Sequence, residues 1–468
     1  MKSSSSAASI LDPTPVLFLI ATVLALVWVI GDLSLPGLLA AAAALALAIV
    51  WLLVDHPWAA VVTIIIAAVL PRVAVSIGGL NARPEHLVSI LVLAAVPFWL
   101  KRSQTAVRWM FADYVLLAFI AFNFFSSYFG SIQPSQTLKW AAQQTLAILP
   151  YFFLRVLLTS PSAVRRAVRV ALVVGVIEAA YAIVAFHSSQ FFKTTFGVTL
   201  DQYDTIPGTY GTQYEANILA AYLGACSVIL LTLYLTNRSM KYLVGFGVTL
   251  FGMAIGLSRA ALAGTALALG LVFIRGFRLG SINKQVVGRI AITLLCVLLA
   301  SAPSLVGFYV ERFSSLEAAD VTADDNLRNR VVTTVVSLND ILEHPIAGNG
   351  TASFQLMFDF SQLNADVEGG WIGNTPWRVL HDTGLIGLAL FAFFLGAILV
   401  RVRRTLKQQV YPELSALFLG ALVYCVTFQT TEGTLLAFPW VHLGLMACAV
   451  ATWQSQRLSD DSLTAPEM

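Results

Sequence analysis

Long apolar runs separated by short polar segments make up most of this chain. A helix needs about 20 mostly apolar residues to cross the hydrocarbon core of a bilayer. Backbone polar groups in lipid must be hydrogen-bonded within the protein, so these runs are predicted to be α-helices. About 14 runs meet this length criterion, which predicts an all-α, polytopic transmembrane bundle of about 12–14 spans. The predicted centres are Ala25, Leu45, Ile65, Val92, Phe119, Ile148, Gly175, Ser227, Thr249, Leu267, Leu295, Leu390, Gly420 and Met446.

The distribution of cations predicts which ends of the helices face the cytoplasm. Clusters of lysine and arginine occur in every second connection, and each of these connections is short. Short cytoplasmic loops carry an excess of such residues. This pattern therefore predicts a plasma-membrane protein with both termini on the cytoplasmic side. The clusters are Lys101, Arg102 and Arg108; Arg165, Arg166 and Arg169; Arg238 and Lys241; Arg275, Arg278, Lys284 and Arg289; and Arg401, Arg403, Arg404 and Lys407.

Two long connections are predicted on the opposite, extracytoplasmic side, at about 187–213 and 311–378. Loops longer than about 12–15 residues are uncommon in compact folds and are often functional. In the second connection, apolar residues recur at helical spacing, between Asp324-Asp325-Asn326 and the stop signal His344-Pro345. This pattern predicts an amphipathic helix, lying on the outer surface or packing on the bundle as a lid. Its apolar positions are Leu327, Val331, Val335, Leu338 and Leu342.

These patterns give a predicted organisation for the whole chain. Residues 1–14 form a cytoplasmic tail, 15–310 spans 1–11, 311–379 the long extracytoplasmic loop, 380–454 spans 12–14 and 455–468 a cytoplasmic tail.

Composition agrees with a membrane protein and narrows its chemistry. Hydrophobic residues make up 58% and charged residues 11% of the chain, whereas soluble domains have about 25% charged residues. The net charge of +3 gives no indication of a nucleic-acid partner. The four cysteines lie in apolar runs and are interpreted as small core residues. No metal-ligand spacing, phosphate loop or dinucleotide fingerprint occurs, so neither a metal nor a cofactor is predicted.

Cations on the predicted outer side are candidates for binding an anion. Arg259 lies in Gly256-Leu257-Ser258-Arg259, a short break between two apolar runs. An ionisable group at that depth is costly and usually functional, although an arginine can also cap helix carbonyls. Arg328 and Arg330 begin the predicted amphipathic helix, and Arg378 follows it. Guanidinium groups match phosphate oxygens in a bidentate fork, so such a pocket suits a diphosphate.

Two carboxylates near the predicted outer side have two interpretations each. Glu178 lies within a span and Glu215 at the outer start of another. Either group could relay protons, or it could be a hydrogen-bonded structural partner.

Four segments, in order along the chain, carry a resemblance to the O-antigen ligase/polymerase superfamily of bacterial membrane glycosyltransferases. They are Gly208-Thr209-Tyr210-Gly211 with Asn217; Leu257-Ser258-Arg259-Ala260; Arg330 with His344-Pro345-Ile346-Ala347-Gly348-Asn349-Gly350; and Asn374 with Asp382-Thr383-Gly384-Leu385-Ile386-Gly387.

This resemblance implies a metal-independent glycosyl transfer on the extracytoplasmic face. The donor would be a glycan on a polyprenyl diphosphate such as undecaprenyl diphosphate, and a hydroxyl of a glycan or lipid would be the acceptor. Arg259 and Arg330 match the family positions that stabilise the departing diphosphate, and Arg328 lies beside them. Asn374 matches a site position, and His381 and Asp382 on the same helix end are the candidate base.

The chain departs from the family pattern at two places. Gly373 stands where family ligases carry a histidine proposed to activate the acceptor, and Thr205, Ile206 and Pro207 replace an arginine before the Gly-Thr turn. The missing histidine favours a cell-envelope polysaccharide polymerase, for O-antigen or exopolysaccharide, over a strict ligase. A solute transporter or lipid-linked glycan flippase is the alternative outside enzymes; such proteins often contain internal repeats, and no convincing repeat occurs here.

Overall fold

Helices make up most of the computed structural model, which describes residues 35–77, 80–102, 107–199, 208–317, 325–357, 371–408 and 411–464. The helices are α1 (Leu35–Asp55), α2 (Pro57–Ala67), α3 (Pro84–Arg102), α4 (Phe111–Phe129), α5 (Pro134–Leu157), α6 (Pro161–Phe192), α7 (Ala216–Asn237), α8 (Met240–Ala254), α9 (Arg259–Arg278), α10 (Lys284–Glu317), α11 (Asp325–Glu343), α12 (Phe354–Met357), α13 (Thr375–Gln408), α14 (Pro412–Thr427) and α15 (Ala437–Thr464). Two small antiparallel hairpins pair β1 (Val75–Ile77) with β2 (Leu80–Ala82) and β3 (Val198–Thr199) with β4 (Gly208–Thr209).

The helices form a polytopic membrane bundle, as predicted. Seven helices in the described ranges are long and apolar enough to span a membrane: α3, α4, α6, α7, α9, the first part of α10, and α13. The segment Ala43–Asp55 in α1 and helix α2 meet at 117° and together make a possible eighth span. Helices α8 and α14 and the segment Ala437–Trp453 of α15 are apolar but shorter. The prediction of about 12–14 spans therefore remains a prediction.

Most predicted helix centres fall inside helices. Ala25 lies outside the described residues, and every other predicted centre lies within an α-helix. The break predicted at Ser258-Arg259 separates α8 from α9, where Leu257 adopts a positive φ of 52°. The Ser258 hydroxyl then accepts a hydrogen bond from the Ala261 N–H, which caps α9.

Several boundaries differ from the prediction because helices continue beyond the apolar runs. Helix α6 extends to Phe192 and α10 to Glu317, both inside the predicted external connections. Helix α13 begins at Thr375, within the predicted loop, and α15 reaches Thr464, within the predicted tail. Hydropathy marks the part of a helix that lies in lipid, whereas backbone hydrogen bonding continues into the polar ends. Residues 1–14 lie outside the described part of the chain.

Helix α7 forms the centre of the bundle. Its most apolar 18-residue segment is fully buried. The helix is surrounded by α6, α8, α9 and α14. Small residues permit these close approaches: Gly224 of α7 faces Val423 of α14, and Gly420 of α14 faces Ile229 of α7. The helix that follows the Gly-Thr-Tyr-Gly segment is therefore fixed on several sides.

The predicted cytoplasmic loops meet at one end of the bundle, here called the basic end. Arg102 pairs with Asp55 at 2.9 Å, which links the ends of α3 and α1. Arg155 pairs with Asp113 at 3.1 Å, which links the end of α5 to the start of α4. Arg238 donates to the carbonyl of Ser281 across the next two loops. The cationic loops thus share one end, and its cytoplasmic orientation remains a prediction.

Hydrogen bonds join the connections at the opposite end, here called the site end. The Tyr214 hydroxyl donates to the Pro71 carbonyl at 2.7 Å, and Arg83 donates to the Leu435 carbonyl at 3.0 Å. The Thr375 N–H donates to the Phe428 carbonyl at 2.9 Å. The site end consists of residues 69–77, 80–83, 126–137, 208–215, 344–352, 371–383 and 428–436.

Candidate active site

The site end is organised around a break in helix α13. Gly384 has φ 62° and ψ −166°, which no α-helix contains, so the short segment 375–383 is separated from the long apolar segment 385–408. The loop 344–350 binds to this break through its backbone. Asn349 N–H donates to the His381 carbonyl at 3.0 Å, and Gly350 N–H donates to the Asp382 carbonyl at 2.8 Å. The segment 344–350 thus contacts the segment around Asp382, and both segments belong to those that carry the family resemblance.

Two glycines permit this close approach. A Cβ added at Gly348 would lie 2.5 Å from the backbone nitrogen of Thr383, and one added at Gly384 would lie 2.3 Å from the Ile346 carbonyl oxygen. Both residues also have positive φ, which disfavours any side chain.

We expect Gly384→Ala to lower the melting temperature of the detergent-purified protein and to abolish its function, because the alanine methyl overlaps the Ile346 carbonyl. Gly396→Ala, in the same helix, is the matched control, since no atom beyond the adjacent backbone of its own helix lies within 4 Å of a Cβ at that position. It should leave the melting temperature unchanged or raise it, because alanine favours helix interiors over glycine by about 1 kcal/mol. Equal melting temperatures for the two variants would contradict the close approach of these loops.

Next to the break, charged side chains form a continuous chain of contacts, here called the ion chain: Asp340, His381, Asp382, Arg378 and Glu432. His381 is fully buried, with Nδ1 3.0 Å from Asp382 Oδ1 and Nε2 3.3 Å from Asp340 Oδ2. Asp382 Oδ2 accepts from Arg378 Nε at 3.2 Å and from the Ala352 N–H at 2.9 Å. Both predicted base candidates, His381 and Asp382, therefore lie in one network.

Arg378 is the buried cation of the ion chain. Its side chain is 3% exposed, and Nη1 lies 3.2 Å from Glu432 Oε2. The guanidinium carbon lies 4.7 Å from the centre of the Trp371 ring, within the range of a cation–π interaction. Two carboxylates and an aromatic face thus hold this arginine in one position.

Sequence reasoning missed two members of the ion chain. Asp340 lies on α11, where the recognised signal was the apolar stripe on another face of the helix. Glu432 lies in the connection between α14 and α15, within the predicted spans 12–14, where no site residue was predicted. Its carboxylate accepts from the N–H groups of Thr434 at 2.5 Å and Leu435 at 3.3 Å. A charged residue in an otherwise apolar and hydroxyl-rich connection was the available signal.

The side chain of Asn374 is engaged in local structure. Its Oδ1 accepts from the Trp377 N–H at 2.9 Å, as a helix cap does, and its Nδ2 donates to the Gln429 carbonyl at 2.8 Å. Asn374 therefore positions the start of α13 against the connection that carries Glu432. Its place in a catalytic site and its catalytic role remain predictions.

A second cluster lies beside the first. The guanidinium carbon of Arg83 lies 4.8 Å from the centre of the Tyr214 ring, and Nη1 lies 3.5 Å from Glu85. Arg72 covers the Tyr210 ring at 3.5 Å. Burial raises the pKa of Tyr214 despite the opposing effect of Arg83. Since Arg83 donates to the Leu435 carbonyl, the connection 432–435 joins this cluster to the ion chain.

The structure distinguishes the two interpretations of Glu178. Its carboxylate accepts from the Thr212 N–H at 2.8 Å and lies against Gly211, so it holds the Gly-Thr-Tyr-Gly turn. This contact supports a structural role. Glu215 is exposed at the cap position of α7, and Asn217 lies half-buried in its first turn. Glu215 belongs to the site end and Asn217 lies just beyond it, and the functional roles of both remain predictions.

Of the three predicted diphosphate-binding arginines, only Arg259 has a described side chain. Arg259 is half-buried and is the first residue of α9, whose start packs near the end of α14. A cation is unfavourable at a helix N-terminus because it adds to the positive end of the helix dipole. The side chains of Arg328 and Arg330 lie outside the described residues, although both belong to α11.

The comparisons with known proteins add no family assignment. Neither the protein-family models nor the curated proteins gave a match to this chain. Within the described residues, no group of three or more histidine, cysteine, aspartate or glutamate side chains has a geometry that could hold a metal ion.

Proposed function

We propose that this protein is a membrane glycosyltransferase that moves a glycan from a polyprenyl diphosphate to an acceptor hydroxyl at the site end. The observation that carries this proposal is the docking of residues 344–350 onto the break at Gly384, beside the ion chain. These two segments belong to the four that carry the family resemblance, and their contact supports the proposal. The ion chain lies at the site end, where a lipid-linked donor and a water-soluble or lipid acceptor can both reach it.

The departing group in this reaction is the lipid diphosphate. As the acceptor oxygen bonds to the anomeric carbon, the bond from that carbon to the phosphate oxygen breaks, and its electron pair remains on the diphosphate. Fixed cations and helix N-termini stabilise negative charge that develops in this way. Arg259 supplies a cation, and the start of α9 supplies a helix N-terminus. We assign both to binding of the diphosphate, with Arg330 and Arg328 as the further candidates.

The acceptor hydroxyl must lose a proton in the same reaction. Both ring nitrogens of the buried His381 face carboxylates, so this histidine reaches a substrate only through another group. Asp340 is that group: its side chain is 19% exposed, and its Oδ2 contacts His381. We assign the proton transfer to Asp340, with His381 and Asp382 as the residues that position it.

We favour a polysaccharide polymerase over a ligase. Gly373 stands in place of the histidine found in family ligases, and Asp340 offers a base from a different element. An O-antigen-type ligase that attaches finished polymer to a lipid or protein is the second candidate. The proposed location is the plasma membrane, with both termini cytoplasmic and the site end extracytoplasmic, as the cationic loops at the basic end indicate.

Replacing Arg259 tests the diphosphate assignment. Arg259→Ala should slow glycan transfer in isolated membranes by about 10²–10³-fold, the usual effect of removing one group that stabilises a developing anion. Arg259→Lys should restore little, because an ammonium does not reproduce the bidentate fork. Arg278→Ala, at the other end of the same helix, is the control and should retain full transfer. Full transfer by Arg259→Ala at equal membrane levels would contradict the assignment.

A further inference from the structure

Helix α11 exposes a row of apolar side chains on one face, whereas Ile341 on another face is buried. Val335 is 59% exposed, Leu338 40% and Leu342 67%, and Ile346 just beyond the helix is 62% exposed. Together these four residues form a ridge, here called the α11 ridge. In water, such a row of large aliphatic side chains is unfavourable, and contiguous apolar patches mark surfaces that contact a partner or a membrane.

The opposite face of α11 binds the protein through polar contacts. Ser337 is fully buried, and its hydroxyl accepts a hydrogen bond from Trp377 Nε1 at 2.8 Å. Asp340 contacts His381, and its backbone carbonyl accepts from Asn349 Nδ2 at 3.1 Å. The face that meets the bundle thus carries these polar groups together with the buried Ile341. The apolar ridge is thereby directed away from the bundle, in contrast to a lid that buries its apolar face.

The α11 ridge continues into the exposed apolar flank of a candidate span. Leu385 N–H donates to the Pro345 carbonyl at 2.8 Å, so the backbone beside Ile346 touches the start of the long segment of α13. Leu385 is 57% and Phe393 65% exposed on that segment, which is one of the candidate spans. On the other side, Gly130 contacts the Gly348 carbonyl, where Phe129 and Ile132 are also exposed.

We infer that α11 is an interfacial helix whose apolar ridge is immersed in the lipid of the membrane at the site end. The partner is the acyl and headgroup region of the bilayer, because the ridge is continuous with the apolar surface of α13. Amphipathic helices bind membranes in this way, lying in the interface with their apolar face in the boundary of the acyl chains. This inference does not depend on glycan transfer and holds for any activity of the site.

The arrangement gives α11 three different environments. Thr333 and Ser337 face the protein, and Leu338 and Leu342 face lipid. Asn339 and Glu343 are exposed between these faces and are polar, so they face water. Each residue advances about 100° around a helix of 3.6 residues per turn, which explains why neighbours such as Leu342 and Glu343 differ. Membrane lipid thus contacts the same helix that places Asp340 beside His381.

Fluorescent labelling of neighbouring positions tests this inference. The exposed Cys296 and Cys425 are first replaced by serine, while the buried Cys226 and Cys448 are retained. An environment-sensitive nitrobenzoxadiazole dye is then attached to Leu342→Cys or Glu343→Cys, with Leu338→Cys and Asn339→Cys as a second pair. The full-length protein is reconstituted in phosphatidylethanolamine–phosphatidylglycerol vesicles. Quenching is measured with nitroxide-labelled phospholipid and, separately, with aqueous iodide.

The dye at 342 and 338 should emit at shorter wavelength, be quenched strongly by the nitroxide lipid and be protected from iodide. The dye at 343 and 339 should show the opposite preference. Equal iodide quenching of both members of each pair would overturn the inference. So would protection at 342 from both quenchers together with cross-linking between copies through Leu342→Cys, because a second copy of the chain would then occupy the ridge.

Discussion

Arg378→Ala is expected to destabilise the protein by about 3–5 kcal/mol and to abolish its activity, since removing one partner of a buried ion pair leaves an uncompensated charge. Arg378 is 3% exposed and lies within 3.2 Å of both Asp382 and Glu432. Its loss leaves the buried Asp382 and the partly buried Glu432 without this cation. Arg378→Lys should recover only part of the stability, because a single ammonium cannot reproduce the planar fork that contacts both groups.

The measurement is thermal unfolding of the purified protein in detergent. Arg102 provides the control, because it pairs with Asp55 at 2.9 Å but its side chain is 61% exposed. Exposed pairs contribute about 0–1 kcal/mol, so Arg102→Ala should barely change the melting temperature. If Arg378→Ala melts like Arg102→Ala, the ion chain does not stabilise the site end.

Asp340→Asn and Asp382→Asn should have different effects, although both remove a carboxylate next to His381. Asp382 is buried and accepts from Arg378 and from the Ala352 N–H. Its replacement should therefore lower both stability and transfer. Asp340 lies at the exposed end of the ion chain. Its replacement should reduce transfer by about 10²–10⁴-fold, the usual contribution of a general base, with little change in melting temperature.

Transfer rates in membranes, normalised to the amount of folded protein, separate the two effects. A normal rate for Asp340→Asn would place the base elsewhere. A large loss of stability in Asp340→Asn would instead assign this residue to structure alone. Glu343→Gln, one residue from the predicted stop of α11 and exposed to solvent, is the control and should leave both quantities unchanged.

Hydropathy was sufficient to predict the helical bundle because a membrane restricts the backbone to one solution. Apolar runs in lipid must satisfy their own hydrogen bonds, and they became helices at every described predicted centre. The amphipathic helix was also predicted, and α11 runs from Asp325 to Glu343 between the signals named for it. Its orientation could not be predicted, because periodicity identifies two faces of a helix without telling which one meets the protein.

The contents of the site could be predicted only in part, because side-chain contacts join distant segments. His381, Asp382, Arg378 and Asn374 were identified from one short stretch of sequence, and the structure places them together. Asp340 and Glu432 belong to the same cluster, yet each is more than thirty residues from that stretch along the chain. Local patterns carry no information about such pairings.

The proposal that this protein polymerises a lipid-linked glycan is tested by the glycan profile of a strain that lacks it. Lipid-linked single repeat units are separated from finished polymer by extraction and mass spectrometry. We expect single repeat units to accumulate on the polyprenyl diphosphate carrier and polymer to be absent. The wild-type chain should restore polymer, and Arg259→Ala should not. Full-length polymer stalled on the carrier would indicate the ligase instead, and an unchanged profile of both species would contradict glycan transfer by this protein.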